Sequence, residues 1–164
     1  MSATNPVPEN SGKRFQRCRR FARACAFQAL YELDVRHAWG DPEEQRQYFW
    51  QRVESSDDVP EGCDLERARA FAETIVDAVL MNKDNIDQRI QAVAEHWSLD
   101  RMSMIDRNIL RLAGGELLYV AKIPPVTAVN EAIELAKEYG DKDSPRFING
   151  ILDKILRERE KTTV

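Results

Sequence analysis

Residues 122–155 read KIPPVTAVNEAIELAKEYGDKDSPRFINGILDKI, and this stretch decides the fold class. Lys122-Ile-Pro-Pro125 breaks the chain, because proline removes a backbone donor and restrains the residue before it. Val129, Ala132, Ile133 and Ala136 then recur at helical spacing, and Gly140 is placed to stop that helix. After the short polar loop 141–144, Ser144 reads as an N-cap with Pro145 at the first helical position. Phe147, Ile148, Ile151, Leu152 and Ile155 form the apolar stripe of the last helix. The stretch is two amphipathic helices joined by a tight turn.

Working outward, the same period governs the rest of the chain. Ser103 and Asp106 have capping-box spacing and open a helix through Ile105, Ile109, Leu112 and Leu117. Gly114-Gly115 inside it costs about 1 kcal/mol per residue against alanine, which predicts close approach of a neighbouring helix, with a kink as the alternative. Farther upstream, Leu65, Ala68, Phe71, Ala72, Ile75, Val76, Val79 and Leu80 mark a helix over about 64–81. Ile86, Ile90, Val93 and Trp97 mark another over about 84–97. Near the N-terminus, Cys18, Ala22, Cys25, Ala26, Ala29, Leu30 and Leu33 form the core stripe of a helix over about 14–36, with Arg19, Arg20 and Arg23 off that stripe. Gly40-Asp41-Pro42 ends it, Asp41 reading as the cap of a second helix that carries Tyr48, Phe49, Trp50 and Val53. No segment alternates as a strand does. The expected fold is all-α, about seven helices.

Composition agrees: 43% hydrophobic and 32% charged residues are the balance of a soluble globular domain. No apolar run approaches the roughly 18–20 residues that span a bilayer, so no membrane partner is expected. Met1 to Gly12 is polar and contains proline, without the apolar core of a secretory signal, and reads as a disordered tail. Residues 13–164 then form a single domain, with an N-terminal helical half over about 13–81 and a C-terminal half over about 82–160. Cys18, Cys25 and Cys63 lack ligand-like spacing. Cys18 and Cys25, about 10 Å apart on one helix face, are too distant for a disulfide. They read as small buried hydrophobes in a reducing cytoplasm. With only His37 and His96 available, no zinc site is expected.

The net charge of −4 is unevenly spread. Lys13, Arg14, Arg17, Arg19, Arg20 and Arg23 lie in one stretch without an acid, leaving −10 on the rest. Such a segment suits a phosphate backbone, and Phe15, Phe21 and Tyr31 nearby suit bases. A second candidate surface is Tyr139 to Phe147, where a helix end meets a helix N-terminus. There Ser144, free backbone N–H groups, Arg146 and two aromatics are expected together, with Asp143 as an acceptor for a base edge or ribose hydroxyl. The competing reading is that Asp143 and Ser144 cap the helix and Phe147 is core. No phosphate-binding loop, dinucleotide fingerprint, nucleophile elbow or metal-binding histidine pair is present. The expectation is a binding protein without cofactor, not an enzyme.

Three blocks then take on a familiar form: Cys25-Ala-Phe-Gln-Ala-Leu-Tyr31 in a basic first helix; Asp106-Arg-Asn-Ile-Leu-Arg-Leu-Ala113 followed by Glu116-Leu117; and Val129-Asn-Glu-Ala-Ile-Glu-Leu-Ala-Lys137, Tyr139-Gly140 and Ser144-Pro-Arg-Phe-Ile-Asn-Gly-Ile-Leu152. In this order they resemble the NusB family of transcription antitermination factors. The likeness covers residues 14–36 and 97–157 well, 64–96 mainly in pattern and 37–63 poorly. It implies two packed helical subdomains, no catalysis, and binding of the single-stranded boxA element of ribosomal RNA transcripts. The implied partner is NusE, a small-subunit ribosomal protein, within the transcription elongation complex. Carried over by position, the RNA surface falls on Arg19, Arg20, Arg23, Gln28, Tyr139, Asp143, Ser144, Arg146 and Phe147, and the NusE-facing surface near Asp106. Phe21 departs from the family's basic start, and Gly114-Gly115 replaces bulkier residues. The competing readings are a self-associating module or protein–protein adaptor, including a homodimer that hides the RNA surface. A third is the RNA-binding domain of a ribosomal RNA cytosine methyltransferase.

Overall fold

The computed structural model describes residues 10–162; of the tail expected at 1–12, residues 1–9 lie outside them, and Ser11 and Gly12 already belong to the first helix. Six α-helices follow in order: α1 Ser11–Val35, α2 Glu43–Ser55, α3 Leu65–Val93, α4 Met104–Tyr119, α5 Pro125–Tyr139 and α6 Ser144–Thr162. A single 3-10 turn, Leu99–Arg101, leads into α4. No strand occurs among the described residues. The all-α expectation holds; the count falls from seven to six because two expected helices are one.

That merger has a visible cause. The helices expected over 64–81 and 84–97 are one continuous α3 that ends at Val93, bent at Asn82, whose φ of −130° and ψ of 18° leave the helical region. The Asn82 amide donates to the Ala78 carbonyl at 2.8 Å, which satisfies an acceptor at the bend. The bend wraps α3 around α4 at the paired glycines. A Cβ on Gly115 would lie 2.8 Å from Val79 Cγ2, and one on Gly114 3.0 Å from Ile86 Cγ2. Val79 and Ile86 flank the bend, so the glycines admit α3 on both sides of it. Close approach is the correct reading of Gly114-Gly115, and α4 itself runs unbroken.

The centre of the molecule is α4, on which α1, α3, α5 and α6 pack. Every residue from Asn108 to Leu117 is buried, polar ones included. The Ser103 cap is as expected, and Asp64 supplies a second one at α3. Asp64 Oδ1 accepts from the Glu66 and Arg67 N–H groups, and Ser103 Oγ accepts from the Asp106 N–H. Asp41 is not a cap: Pro42 takes that position at α2 without a side-chain bond. Trp97 is not core either, because α3 stops at Val93 and leaves its ring more than half exposed.

The cysteine expectation fails. Cys18 on α1 and Cys63 before α3 form a disulfide with Cα atoms 5.6 Å apart, while Cys25 is the buried free thiol. The two lie 45 residues apart in sequence, and only tertiary packing brings the ends together. By chain entropy, closing such a loop restricts the unfolded state by about 4 kcal/mol.

Candidate nucleic-acid interface

One turn of α1 divides the arginines by direction. Arg20 points outward, its side chain 59% exposed, and its Nε donates to Glu131 of α5 at 3.2–3.3 Å. Arg19 lies across the Phe71 ring, its guanidinium carbon 3.6 Å from the centroid, with Phe15 at 4.9 Å on the same helix. Burial, together with the nearby Arg23 charge, holds the Arg19 guanidinium below its usual range. It remains a cation at any physiological pH.

Arg23 points inward, against expectation. Its side chain is 5% exposed and forms a two-pronged pair with Glu116 of α4, Nε to Oε1 at 2.7 Å and Nη2 to Oε2 at 3.2 Å. Flanked by the buried Ala22 and Ala26, this guanidinium is a core group whose charge is spent on Glu116. Burial pushes the Glu116 carboxyl up, and the Arg23 hydrogen bonds and charge oppose that push. Arg23 thus joins α1 to α4 and does not reach the solvent-facing surface.

Farther along α1, Gln28 Nε2 donates to the Tyr139 hydroxyl at 3.0 Å. Tyr139 packs against Phe27 in a tilted pair with centroids 5.0 Å apart, and Phe27 lies 6.2 Å from Tyr31. Burial pushes the Tyr139 phenol above its usual range, so its hydroxyl stays protonated at neutral pH. The structure therefore brings two sequence-distant candidates, Gln28 and Tyr139, into one contact. A groove of about 650 Å³ beside them is lined by Arg17, Arg20, Asp58 and Pro60 as well.

The turn into α6 is arranged differently from the expected open N-terminus. Asp141 Oδ1 accepts the N–H groups of Asp143 and Ser144, at 2.8 and 3.1 Å, and the Ser144 hydroxyl accepts the Asp141 N–H at 3.1 Å. Those amides are occupied and Ser144 is buried, so the capping role belongs to Asp141 together with Ser144. Asp143 and Arg146 are exposed, and Phe147 is half-buried against the core. Asp106, at the start of α4, sits beside this turn. Burial pushes its carboxyl above the usual range, with the Asp141 charge adding to that and the Ser144 and Ser103 hydroxyls opposing it. The partner-facing candidate and the α6 turn are thus one surface.

Sequence reading missed a polar cluster inside the core. Asp34 accepts from Arg107 Nε at 2.6 Å, Arg107 Nη2 at 2.9 Å, Asn108 at 2.8 Å and Arg111 at 3.1 Å. Arg111 also donates to both oxygens of Asp87 and lies over the Trp39 ring. Burial pushes the Asp34 carboxyl up, but these hydrogen bonds and the Arg111 and Arg107 charges outweigh it and hold the group below the usual carboxylate range. The available signal was Arg107, Asn108 and Arg111 at one-turn spacing on the most buried helix. Their partners are more than 20 residues away in sequence and left no local mark.

These features define a class: a helical binding module whose outer face mixes guanidinium, amide and phenol groups beside a helix-capping turn. No cluster of three or more histidine, cysteine or acidic groups able to hold a metal occurs among the described residues. No helix among them is long and apolar enough to cross a membrane.

Residues 20–157 match the NusB family, and the chain belongs to it. The transcription antitermination protein NusB of Trichlorobacter lovleyi is 42% identical over 137 residues, spanning 84% of this chain and 89% of its own length. Among solved structures, T. maritima NusB shares 36% identity with a TM-score of 0.72, covering 89% of this chain and 97% of that one. A crystal structure of the antitermination factors NusB and NusE in complex with dsRNA shares 28% identity with a TM-score of 0.71, covering 87% and 98%.

Proposed function

We propose that this NusB-family chain is an RNA-binding transcription antitermination factor that acts by binding and not by catalysis. It takes the single-stranded boxA element of ribosomal RNA transcripts together with NusE, in the cytoplasm, and hands that pair to the elongation complex. The single observation that carries this reading is the Gln28–Tyr139 contact beside the exposed Arg20, because it joins α1 and the α5–α6 turn into one cationic and aromatic face. Cations neutralise phosphates while aromatic and amide groups meet bases, the combination single-stranded RNA requires.

Within this reading Arg19, Arg20, Gln28, Tyr139 and Arg146 contact RNA, whereas Arg23, Ser144 and Phe147 hold the face in place from behind. Asp143, an exposed acid on that face, trades affinity for base selection. Asp106 borders the NusE surface, and the bend at Asn82 divides the two helical halves. Self-association is the second reading, favoured by one observation. Phe15, Met81 and Tyr119 are all exposed along one groove of about 1240 Å³ between α1, α3 and the α4–α5 loop.

The test is titration of a boxA RNA oligonucleotide with and without NusE, with oligomeric state followed in the same samples. Tighter binding with NusE, and loss of binding to a scrambled sequence, is the expected result. Equal affinity for both RNAs under both conditions contradicts the reading. RNA binding that falls as a dimer forms favours self-association as a control on the same face.

A further inference from the structure

The segment Ser56-Asp-Asp-Val-Pro-Glu-Gly-Cys-Asp64 carries four acids and no base, yet it lies against the most basic part of the molecule. Arg17 Nη2 donates to the Glu61 carbonyl at 2.6 Å. Gly62, at φ +79°, brings its backbone so near α1 that an added Cβ would stand 3.3 Å from Arg14 Cδ. Ser56, Asp58 and Pro60 form one wall of the groove whose other side holds Arg20, Gln28 and Tyr139. The disulfide from Cys63 to Cys18 fixes this acidic strap to α1 one residue from Arg17 and Arg19. Asp58 lines the same groove as Arg20, Gln28 and Tyr139, so at salt low enough to leave charges unscreened over about 10 Å the strap's carboxylates oppose a phosphate that enters it.

We propose that Cys18–Cys63 is a reversible thiol–disulfide site whose oxidised form clamps the acidic strap on α1 and weakens RNA binding, and whose substrate is a dithiol reductant. The inference rests on the RNA-binding reading above. In the reductive step a thiolate of the dithiol attacks one sulfur of the bond, the other sulfur leaves and takes a proton, and the second thiol of the reductant resolves the mixed disulfide. Two electrons pass to Cys18 and Cys63, which end as thiols, and the reductant leaves as its own disulfide; run backwards, exchange with that disulfide takes the two electrons back and re-forms the Cys18–Cys63 bond. Both cysteines are only part-buried and Cys18 lines an open groove, which is the side from which a reductant approaches. Cys25 does not compete: it is buried, and burial together with the Asp58 charge pushes its thiol up to about 12, leaving it protonated and inert to exchange. Once reduced, the strap is held by the Arg17–Glu61 contact without a covalent tie, and it swings away when phosphates compete for the arginines.

The experiment compares the full chain oxidised and reduced by dithiothreitol, with the redox state read by thiol alkylation and mass. Binding of a boxA oligonucleotide in the presence of NusE is the readout. Reduction is expected to tighten binding by about three- to tenfold at low salt, with the gap closing as salt screens the strap. A Cys63→Ser variant should bind like the reduced chain under both conditions. As a control that leaves both cysteines in place, oxidised Asp57→Asn/Asp58→Asn/Glu61→Gln should also reach the reduced affinity. Equal or weaker binding on reduction, or a neutralised strap that still binds weakly when oxidised, overturns the inference. Absence of RNA binding in every form overturns the RNA-binding reading instead, and the strap's role with it.

Discussion

Arg20 and Arg23 lie three residues apart on α1, and their surroundings give one side chain two different jobs. Arg20 meets the part-buried Glu131 at the surface, where such a pair contributes about 1 kcal/mol and the exposed guanidinium is free to exchange the carboxylate for a phosphate. Arg23 holds Glu116 in the core, where loss of one partner strands the other as an unpaired buried charge. The arginines of α4 that pair with Asp34, the part-buried Arg107 and the buried Arg111, belong with Arg23, and Arg146 belongs with Arg20. A count of basic residues along α1 therefore overstates the charge offered to RNA. What matters is which guanidiniums still lack a committed carboxylate when the fold is complete.

The sharpest way to break this division is at the buried end. Arg111→Ala removes the group that bridges Asp34 and Asp87, and is expected to cost about 3–5 kcal/mol, a fall in Tm of about 6–20 °C by calorimetry. The same cluster sets an acid limit. The folded Asp34 carboxyl titrates below its unfolded counterpart, so its contribution is complete above the ordinary carboxylate pKa of about 4 and fades as pH falls through the lower folded value. Asp34→Asn should accordingly lose less additional stability between about pH 4 and pH 2 than the parent chain does in acid unfolding. An identical acid profile would mean that Asp34 does not set the limit.

A smaller effect is expected where α3 and α4 touch. Gly115→Ala drives a methyl to 2.8 Å from Val79, and should cost about 1–3 kcal/mol in denaturant unfolding despite alanine's better helix propensity. Stabilisation instead would mean that α3 yields at the Asn82 bend with little resistance.

Sequence pattern reached the elements and their interactions of one turn's length. The stripes of α4, α5 and α6, the Ser103 cap and the close approach at Gly114-Gly115 were all legible, because each depends on neighbours within about four residues or on the absence of a side chain. Whatever depends on a distant partner was not. Arg23 looked like a surface arginine because Glu116 lies 93 residues away, and Cys18 looked like a core hydrophobe because Cys63 lies 45 away. At the α6 turn, Ser144 was legible as a capping residue, but its reciprocal pairing with Asp141 depends on backbone geometry that residue types alone do not specify. The merged α3 was hidden for a related reason. A polar break at Asn82 to Asp84 reads like a loop until the packing of Val79 and Ile86 on α4 shows that the chain only bends.

The smallest effect on stability carries the most weight for function. Arg19→Ala/Arg20→Ala should cost about 1 kcal/mol in unfolding, from the contact of Arg19 with Phe71, because neither charge is paired with a core carboxylate in the way Arg23 is. The most direct measurement is the salt dependence of boxA RNA binding with NusE present, compared among the parent chain, this double variant and Arg23→Ala, each corrected for its folded fraction. The slope of log affinity against log salt should fall by about 0.7 for each phosphate that the double variant no longer neutralises, while Arg23→Ala keeps the parent slope. A slope that stays the same without Arg19 and Arg20, or that flattens as much without Arg23, would contradict the division between outward and inward arginines.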